Sequence, residues 1–178
     1  MRKLRLTRTA RGAVIAVALA LVVAAPAAAA QPTRTVTHPQ DGGIISAQES
    51  GCGFAVAVGA DPNARVTVTD FSDGTEVIEA NTTRTLTNVL NGKTYLRINR
   101  YHDVERFDAA NGVYRGTQIG QSTWSFWPGD MGPYGLVQAP GLGLHFVGTI
   151  WYTWDPNANA ITEFAFKGTI EDVCALLS

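Results

Sequence analysis

LHFVGTIWYTWDPNANAITEFAFKGTI, residues 144–170, contains the longest strand pattern in this chain. Residues 144–154 and 161–170 are rich in β-branched and aromatic side chains, which favour extended backbone. Asp155-Pro156-Asn157 lies between them, and these residue types are typical of a tight turn. The passage therefore predicts two long strands that run antiparallel and pair with each other.

The chain before this hairpin has short strand patterns separated by turn residues. Asp73-Gly74, Asn91-Gly92 and Asn111-Gly112 are strong hairpin signals. Residues 128–143 are rich in glycine and proline, and we expect a long loop there. The remaining predicted strands are at residues 54–58, 65–71, 76–80, 84–90, 94–101, 113–119 and 123–127.

These patterns predict an all-β fold. Roughly nine short strands at regular spacing, without a long amphipathic helix, are typical of an antiparallel β-barrel or a β-sandwich. We expect a barrel of about eight to nine strands, with the β-sandwich as the alternative. Residues 171–177 are expected to form a short C-terminal helical turn.

The pattern aromatic-x-Gly-Thr favours the barrel, and it occurs at residues 114–117, 146–149 and 166–169. Side chains two positions apart share one face of a strand, so each glycine lies beside its aromatic ring. Glycine weakens a strand and is used where a sheet bends strongly. The alternative explanation is coincidence in a chain that is rich in glycine and threonine.

The beginning of the chain has the pattern of a secretory signal peptide. Basic residues precede the uncharged apolar run at 12–25, and Ala28-Ala29-Ala30 supplies the small residues of a cleavage site. We therefore expect a signal peptide at 1–30, a flexible polar arm at 31–50 and a single β domain at 51–178. The apolar run is short for a membrane span, which needs about 20 residues.

The two cysteines, Cys52 and Cys174, are expected to form a disulfide. A secreted chain meets oxidising surroundings, where two thiols normally become one cystine. The bond would join the beginning of the β domain to its last turn.

The charge balance makes some partners poor candidates. Five of the 14 basic residues lie in the predicted leader, which leaves 9 against 15 acidic residues. A mildly acidic domain is poorly suited to nucleic acid or anionic lipid. We expect a secreted, extracellular protein with no nucleic-acid partner and no membrane span after cleavage.

Three passages of the β domain carry a resemblance to known proteins: Cys52-Gly53-Phe54, residues 87–93 (TNVLNGK) and residues 168–177 (GTIEDVCALL). In these passages the chain resembles a group of exported actinobacterial β-proteins that have one cysteine near each end of the domain. The resemblance implies a bacterial origin. It carries over no catalytic residue.

No catalytic, cofactor-binding or metal-binding motif is present. The patterns G-x-S-x-G and H-E-x-x-H are both absent. His102, Asp103 and Glu105 cluster in a stretch that reads as an exposed charged turn. With His145 they are the candidates for an alternative function, a secreted hydrolase-like enzyme.

Aromatic residues and glycines on one predicted face give a different hypothesis. An eight-stranded barrel is either filled by side chains or holds one small ligand. The possible ligand-facing residues are Tyr114, Phe146, Tyr152, Trp154 and Phe166. The favoured function is non-enzymatic binding of a small apolar ligand or an extracellular partner. A solid aromatic core and a structural module of the cell envelope are the alternatives.

Overall fold

The computed structural model describes residues 31–138 and 142–178. The predicted signal peptide at 1–30 lies outside the described residues. In chain order the elements are β1 (Thr33–Thr37), β2 (Gly43–Ile45), α1 (Ala47–Ser50), β3 (Val56–Val58), β4 (Arg65–Asp70), β5 (Thr75–Asn88), β6 (Thr94–Asp108), β7 (Val113–Phe126), β8 (Met131–Gly132), β9 (Gly135–Leu136), β10 (Leu142–Asp155), β11 (Ala160–Asp172) and α2 (Val173–Leu177).

The main sheet has nine strands, and all its pairings are antiparallel. Its order is β1-β4-β5-β6-β7-β10-β11, while β2 and β3 extend it along the second half of β5. Strands β8 and β9 form a separate hairpin. The all-β class and the short C-terminal helix are therefore confirmed. Among the described residues β1 and β11 do not pair with each other, and no closed barrel is found.

Several predicted strands are pieces of longer ones. Strand β5 continues through Asn81-Thr82-Thr83, and β7 continues through Gly120 and Gln121, where the sequence predicted interruptions. Strand β6 includes residues 102–105, for which the sequence predicts an exposed turn. The stretches in β6 and β7 remain extended because strands on both sides pair with them, whereas Thr82 and Thr83 pair with β6 alone; in each case pairing outweighs weak local β-propensity.

Residues 31–50, expected to be a flexible arm, contain two strands and one helical turn. Strand β1 pairs with β4 along its whole length, and β2 pairs with β3. The side chains of β1 are all exposed. Backbone pairing at the edge of the sheet therefore holds this segment, without a contribution from buried side chains.

A row of three glycines crosses the sheet at Gly120, Gly148 and Gly168. Their φ angles are +128°, +146° and +144°, values that other residues rarely adopt. A Cβ atom on Gly148 would lie 2.1 Å from the carbonyl oxygen of Lys167. We call these residues the glycine row. The recurring sequence pattern predicted two of them and had Gly116 in place of Gly120.

The long strands fold over at the glycine row. Tyr152 is in register with Gly116, eight residues before Trp124 in β7. Eight extended residues span about 26 Å. Nevertheless, the rings of Trp124 and Tyr152 have centroids 4.9 Å apart. The two halves of β7 and β10 must therefore face each other across the bend.

Two clusters of buried residues result. The aromatic core lies within the bend and consists of Phe126, Leu144, Phe146, Ile150, Tyr152 and Ile161, with Trp124, Phe164 and Phe166 packed against it. The second cluster, which we call the cystine end, consists of Val56, Leu86, Val173 and Leu177. The predicted disulfide between Cys52 and Cys174 is present beside it. Neither helix in the described part of the chain is long and apolar enough to cross a membrane.

Candidate functional site

Asp103 and Glu105 lie on the face of β6 that is turned toward the aromatic core. Side chains alternate along a strand, so His102, directly before Asp103, points to the opposite face. There its imidazole lies 3.9 Å from the carboxylate of Glu79. The three residues that the sequence grouped together are therefore divided between the two faces of the sheet.

The hydroxyl of Tyr152 joins the two carboxylates. It is 2.9 Å from Oδ2 of Asp103, and it also contacts Oε1 of Glu105. The amide of Gln118 donates a second hydrogen bond to the same Asp103 oxygen, at 3.0 Å. The indole N–H of Trp124 donates to the other end of that amide, at 2.9 Å. One chain of hydrogen bonds thus connects β6, β7 and β10. We call it the carboxylate–tyrosine chain.

Gly116 makes this chain possible. A Cβ atom at that position would lie 2.1 Å from Cζ of Tyr152 and 2.5 Å from its hydroxyl oxygen. The tyrosine ring therefore lies across bare backbone on its way from β10 to the carboxylates of β6. Gly116 belongs to the first aromatic-x-Gly-Thr pattern. Its glycine makes room for the ring of Tyr152 and is not part of the glycine row.

More acidic residues continue the same face toward the edge of the sheet. Glu105 lies directly opposite Glu76 of β5, which lies opposite Asp70 of β4. Like charges in directly opposite positions destabilise a sheet. Within residues 31–138 and 142–178 none of these carboxylates has an ion-pair partner.

Burial is the main cause of the raised pKa values in this cluster. It raises the pKa of Asp103, although hydrogen bonds from Tyr152 and Gln118 oppose the shift. Burial also raises the pKa of Glu105. The hydrogen bond from Tyr152 opposes this shift, and the nearby charge of Asp103 adds to it. Burial and the charge of Glu105 also raise the pKa of Glu76. Each shift favours the neutral acid.

His145 lies away from these carboxylates. Its Nδ1 is 3.2 Å from the hydroxyl of Thr123, and its ring meets that of Tyr95 edge-on at 6.0 Å. Burial lowers its pKa. Strand β7 lies between the strands of the two histidines. Across it, His102 is aligned with Thr149, which is four residues from His145 along β10. The structure does not bring His102 and His145 together.

The five predicted ligand-facing residues share one face, but they differ in accessibility. Phe146 and Tyr152 are buried in the aromatic core, and the Phe146 ring contacts those of Phe126, Phe164 and Phe166. Tyr114 and Trp154 are half-buried near the end of the sheet, with ring centroids 5.6 Å apart. Side chains therefore fill the space around Phe146 and Phe166.

An open groove lies on the opposite face of β7, β10 and β11. Its volume is about 330 Å³, and its polar lining includes Arg115, Thr153 and Glu163. Trp151 also lines it and is 42% exposed. Arg115 is 3.4 Å from Glu163, which accepts a 2.7 Å hydrogen bond from Thr153. We call this feature the Trp151 groove.

Sequence reasoning missed both the groove and the chain of hydrogen bonds. A sequence signal for the groove exists, because the alternation in 144–154 places Trp151 on the face opposite to Tyr152 and Trp154. No sequence signal pairs Gln118 with Asp103, because their contact depends on the register between β6 and β7. Among the described residues, no group of three or more His, Cys, Asp or Glu side chains could hold a metal ion.

Comparisons with protein-family models, with curated proteins and with solved structures find no match to this chain.

Proposed function

We propose that this chain is a secreted, non-enzymatic binding protein that uses the Trp151 groove. The observation that carries the proposal is Trp151 itself, an indole left exposed in a groove with charged and hydroxyl groups at its border. Binding sites typically combine an apolar surface with a few polar groups that orient the ligand. In the aromatic core, by contrast, the rings of Phe126, Phe164 and Phe166 surround Phe146 with centroids 5.6–6.2 Å from its own.

The lining indicates the chemistry of the ligand. The flat indole suits an apolar face, while Arg115, Glu163 and Thr117 offer hydrogen-bond donors and acceptors beside it. A saccharide unit has this combination of a flat C–H face and a border of hydroxyl groups. We therefore propose an extracellular glycan or a similarly amphipathic small molecule as the ligand, with a cell-envelope component among the possible sources.

The extracellular location is part of the proposal. It is supported by the signal-peptide pattern and by the disulfide, which is typical of exported proteins. The actinobacterial resemblance stays a prediction. The folded sheet, in which two halves of the same strands enclose the aromatic core, supports a sandwich-like arrangement better than the barrel.

Acid–base catalysis is the second candidate, and the contact of Asp103 and Glu105 with one hydroxyl favours it. Pairs of carboxyl groups with perturbed pKa values are common in active sites. However, Asp103 is only 4% exposed, and Tyr152 and Gln118 occupy its Oδ2. A substrate would have to displace Tyr152 or Gln118 to reach that oxygen.

The test compares two tryptophans of similar exposure. Trp151→Ala removes the groove indole, whereas Trp127→Ala removes one that is 48% exposed outside the groove. We expect the wild type and W127A to bind at least one of a panel of soluble oligosaccharides, chitin, cellulose and peptidoglycan. W151A should bind at least tenfold more weakly, because an anchor aromatic is worth about 2 kcal/mol or more.

Depletion from solution and isothermal titration calorimetry measure this difference. Equal loss of binding in both variants would contradict the groove. Failure of the wild type to bind any of the panel would overturn the glycan assignment. Turnover of a polysaccharide that disappears in Asp103→Asn would replace the proposal with the catalytic alternative.

A further inference from the structure

The carboxylate–tyrosine chain has more acceptors than available protons. A tyrosine hydroxyl has one hydrogen, and an ionised carboxylate only accepts. Tyr152 can therefore donate to Asp103 or to Glu105, but it cannot donate to both. One of the two contacts needs a proton that belongs to a carboxyl group.

The neighbouring hydrogen bonds show where that proton is held. The indole N–H of Trp124 is only a donor, and it lies 2.9 Å from the Gln118 amide and 3.0 Å from Oγ of Ser122; its contact with the amide assigns that end as the oxygen of Gln118. The amide nitrogen of Gln118 must then face Asp103 and donate to Oδ2. Two donors on this one oxygen favour the ionised form of Asp103, and they oppose the cost of leaving its other oxygen, Oδ1, buried without a partner among the described residues.

Glu105 lacks that support. Tyr152 provides its only hydrogen-bond partner among the described residues. We infer that Glu105 is protonated in the folded protein and donates to the Tyr152 hydroxyl, which donates to ionised Asp103. With this proton in place, the hydrogen bonds of the chain join β6, β7 and β10. They weaken when Glu105 ionises, because its contact with the Tyr152 hydroxyl then has no proton. The inference does not depend on the proposed function.

Residues on several strands around Glu105 make its ionisation unfavourable. Asp70 of β4, Glu76 of β5 and Asp103 of β6 are acidic and share its face. Tyr101 of β6 and Tyr114 of β7 are uncharged groups on that face, as is Tyr152 of β10. The alternation of β6 and β7 places the nearby Arg106 and Arg115 on the opposite face. No cation of the described residues lies beside Glu105 to stabilise its carboxylate.

The sign of the pH effect follows from linkage. A carboxyl group whose pKa is raised by folding binds more protons in the folded state. Its contribution to stability is fully present below the ordinary glutamate pKa and is lost as the pH rises through the folded pKa. Asp103 and Glu76, whose pKa values are also raised, act in the same direction.

The test compares wild type with Glu105→Gln in urea unfolding between pH 4 and pH 9. The glutamine amide can donate to Tyr152 as the protonated acid does, but it cannot ionise. Relative to E105Q, the wild-type unfolding constant should increase as the pH rises. The increase should reach about tenfold for each unit by which folding raises the Glu105 pKa. Glu163→Gln, on the opposite face, is the control and should keep the wild-type profile, because its ion-pair partner is Arg115 and arginine does not titrate in this range.

A second measurement uses the unmodified protein and covers the case in which E105Q does not fold. The side-chain carboxyl carbon of Glu105 can be followed by NMR during a pH titration. We expect its midpoint above the ordinary glutamate pKa of about 4.3. A midpoint at or below that value, or identical pH profiles for wild type and E105Q, would overturn the inference.

Discussion

The aromatic core and the cystine end are held together in different ways. The aromatic core is built from β7, β10 and β11, long strands that remain hydrogen-bonded while they fold over the glycine row. The cystine end brings together β3, with three residues, and α2, with five, which lie far apart in the chain. One region depends on sheet continuity, whereas the other depends on links between distant segments.

Those links at the cystine end are covalent and polar. The disulfide spans 122 residues of sequence. Nδ2 of Asn88 donates to the carbonyl oxygen of Leu177 at 3.0 Å, and Asn91 donates to the same oxygen at 3.2 Å. Four buried aliphatic residues give this end a small core, so each link contributes a large share of its local stability.

Breaking the glycine row should have the largest effect. Gly148→Ala places a Cβ atom 2.1 Å from a carbonyl oxygen at a φ of +146°. We expect a loss of more than about 3 kcal/mol of unfolding free energy, measured by urea denaturation. Gly143→Ala in the same strand is the matched control, because its Cβ meets no atom within 4 Å. Equal losses in both variants would show that the bend does not require glycine.

Removing the disulfide should have the next largest effect. Cys52→Ala with Cys174→Ala is expected to cost about 2–5 kcal/mol of unfolding free energy. Amide hydrogen exchange should accelerate first in α2 and β3, because the aromatic core retains its continuous strands. Faster exchange in β10 and β11 to the same extent would contradict the separation of the two regions.

Asn88→Ala should have the smallest effect of the three changes. It removes a buried hydrogen bond to α2, for which we expect a loss of about 1–3 kcal/mol. Asn91→Ala removes the more exposed bond to the same oxygen and should cost less. In the disulfide-free background the cost of Asn88→Ala should shrink, because α2 is already loosened. Strict additivity in this double-mutant cycle would mean that the two links act independently.

The sequence predicted the parts of the fold that depend on local chemistry. The hairpin of β10 and β11, with its turn after Asp155, agrees closely with the pattern in 144–170. The all-β class, the C-terminal helical turn and the Cys52–Cys174 disulfide are also confirmed. The alternation of side chains in 144–154 correctly placed Phe146 and Tyr152 on the inner face.

Where the structure differs from the sequence-based predictions, the cause is pairing between strands that are far apart in the chain. The charged residues 102–105 are typical of a turn, but β5 and β7 pair with them on both sides. Gly120 has no aromatic residue two positions before it, so the recurring pattern missed the third member of the glycine row. Its role becomes visible only when register aligns it with Gly148.

The sequence by itself determined the secondary-structure class, the two faces of the strand at 144–154 and the pairing of the only two thiols. Residue type and spacing carry that information directly. Only the tertiary structure decided which faces meet across the bend, that Tyr152 crosses Gly116 to reach two carboxylates, and that Trp151 remains exposed. These features depend on register and curvature, which arise from contacts between residues far apart in the chain.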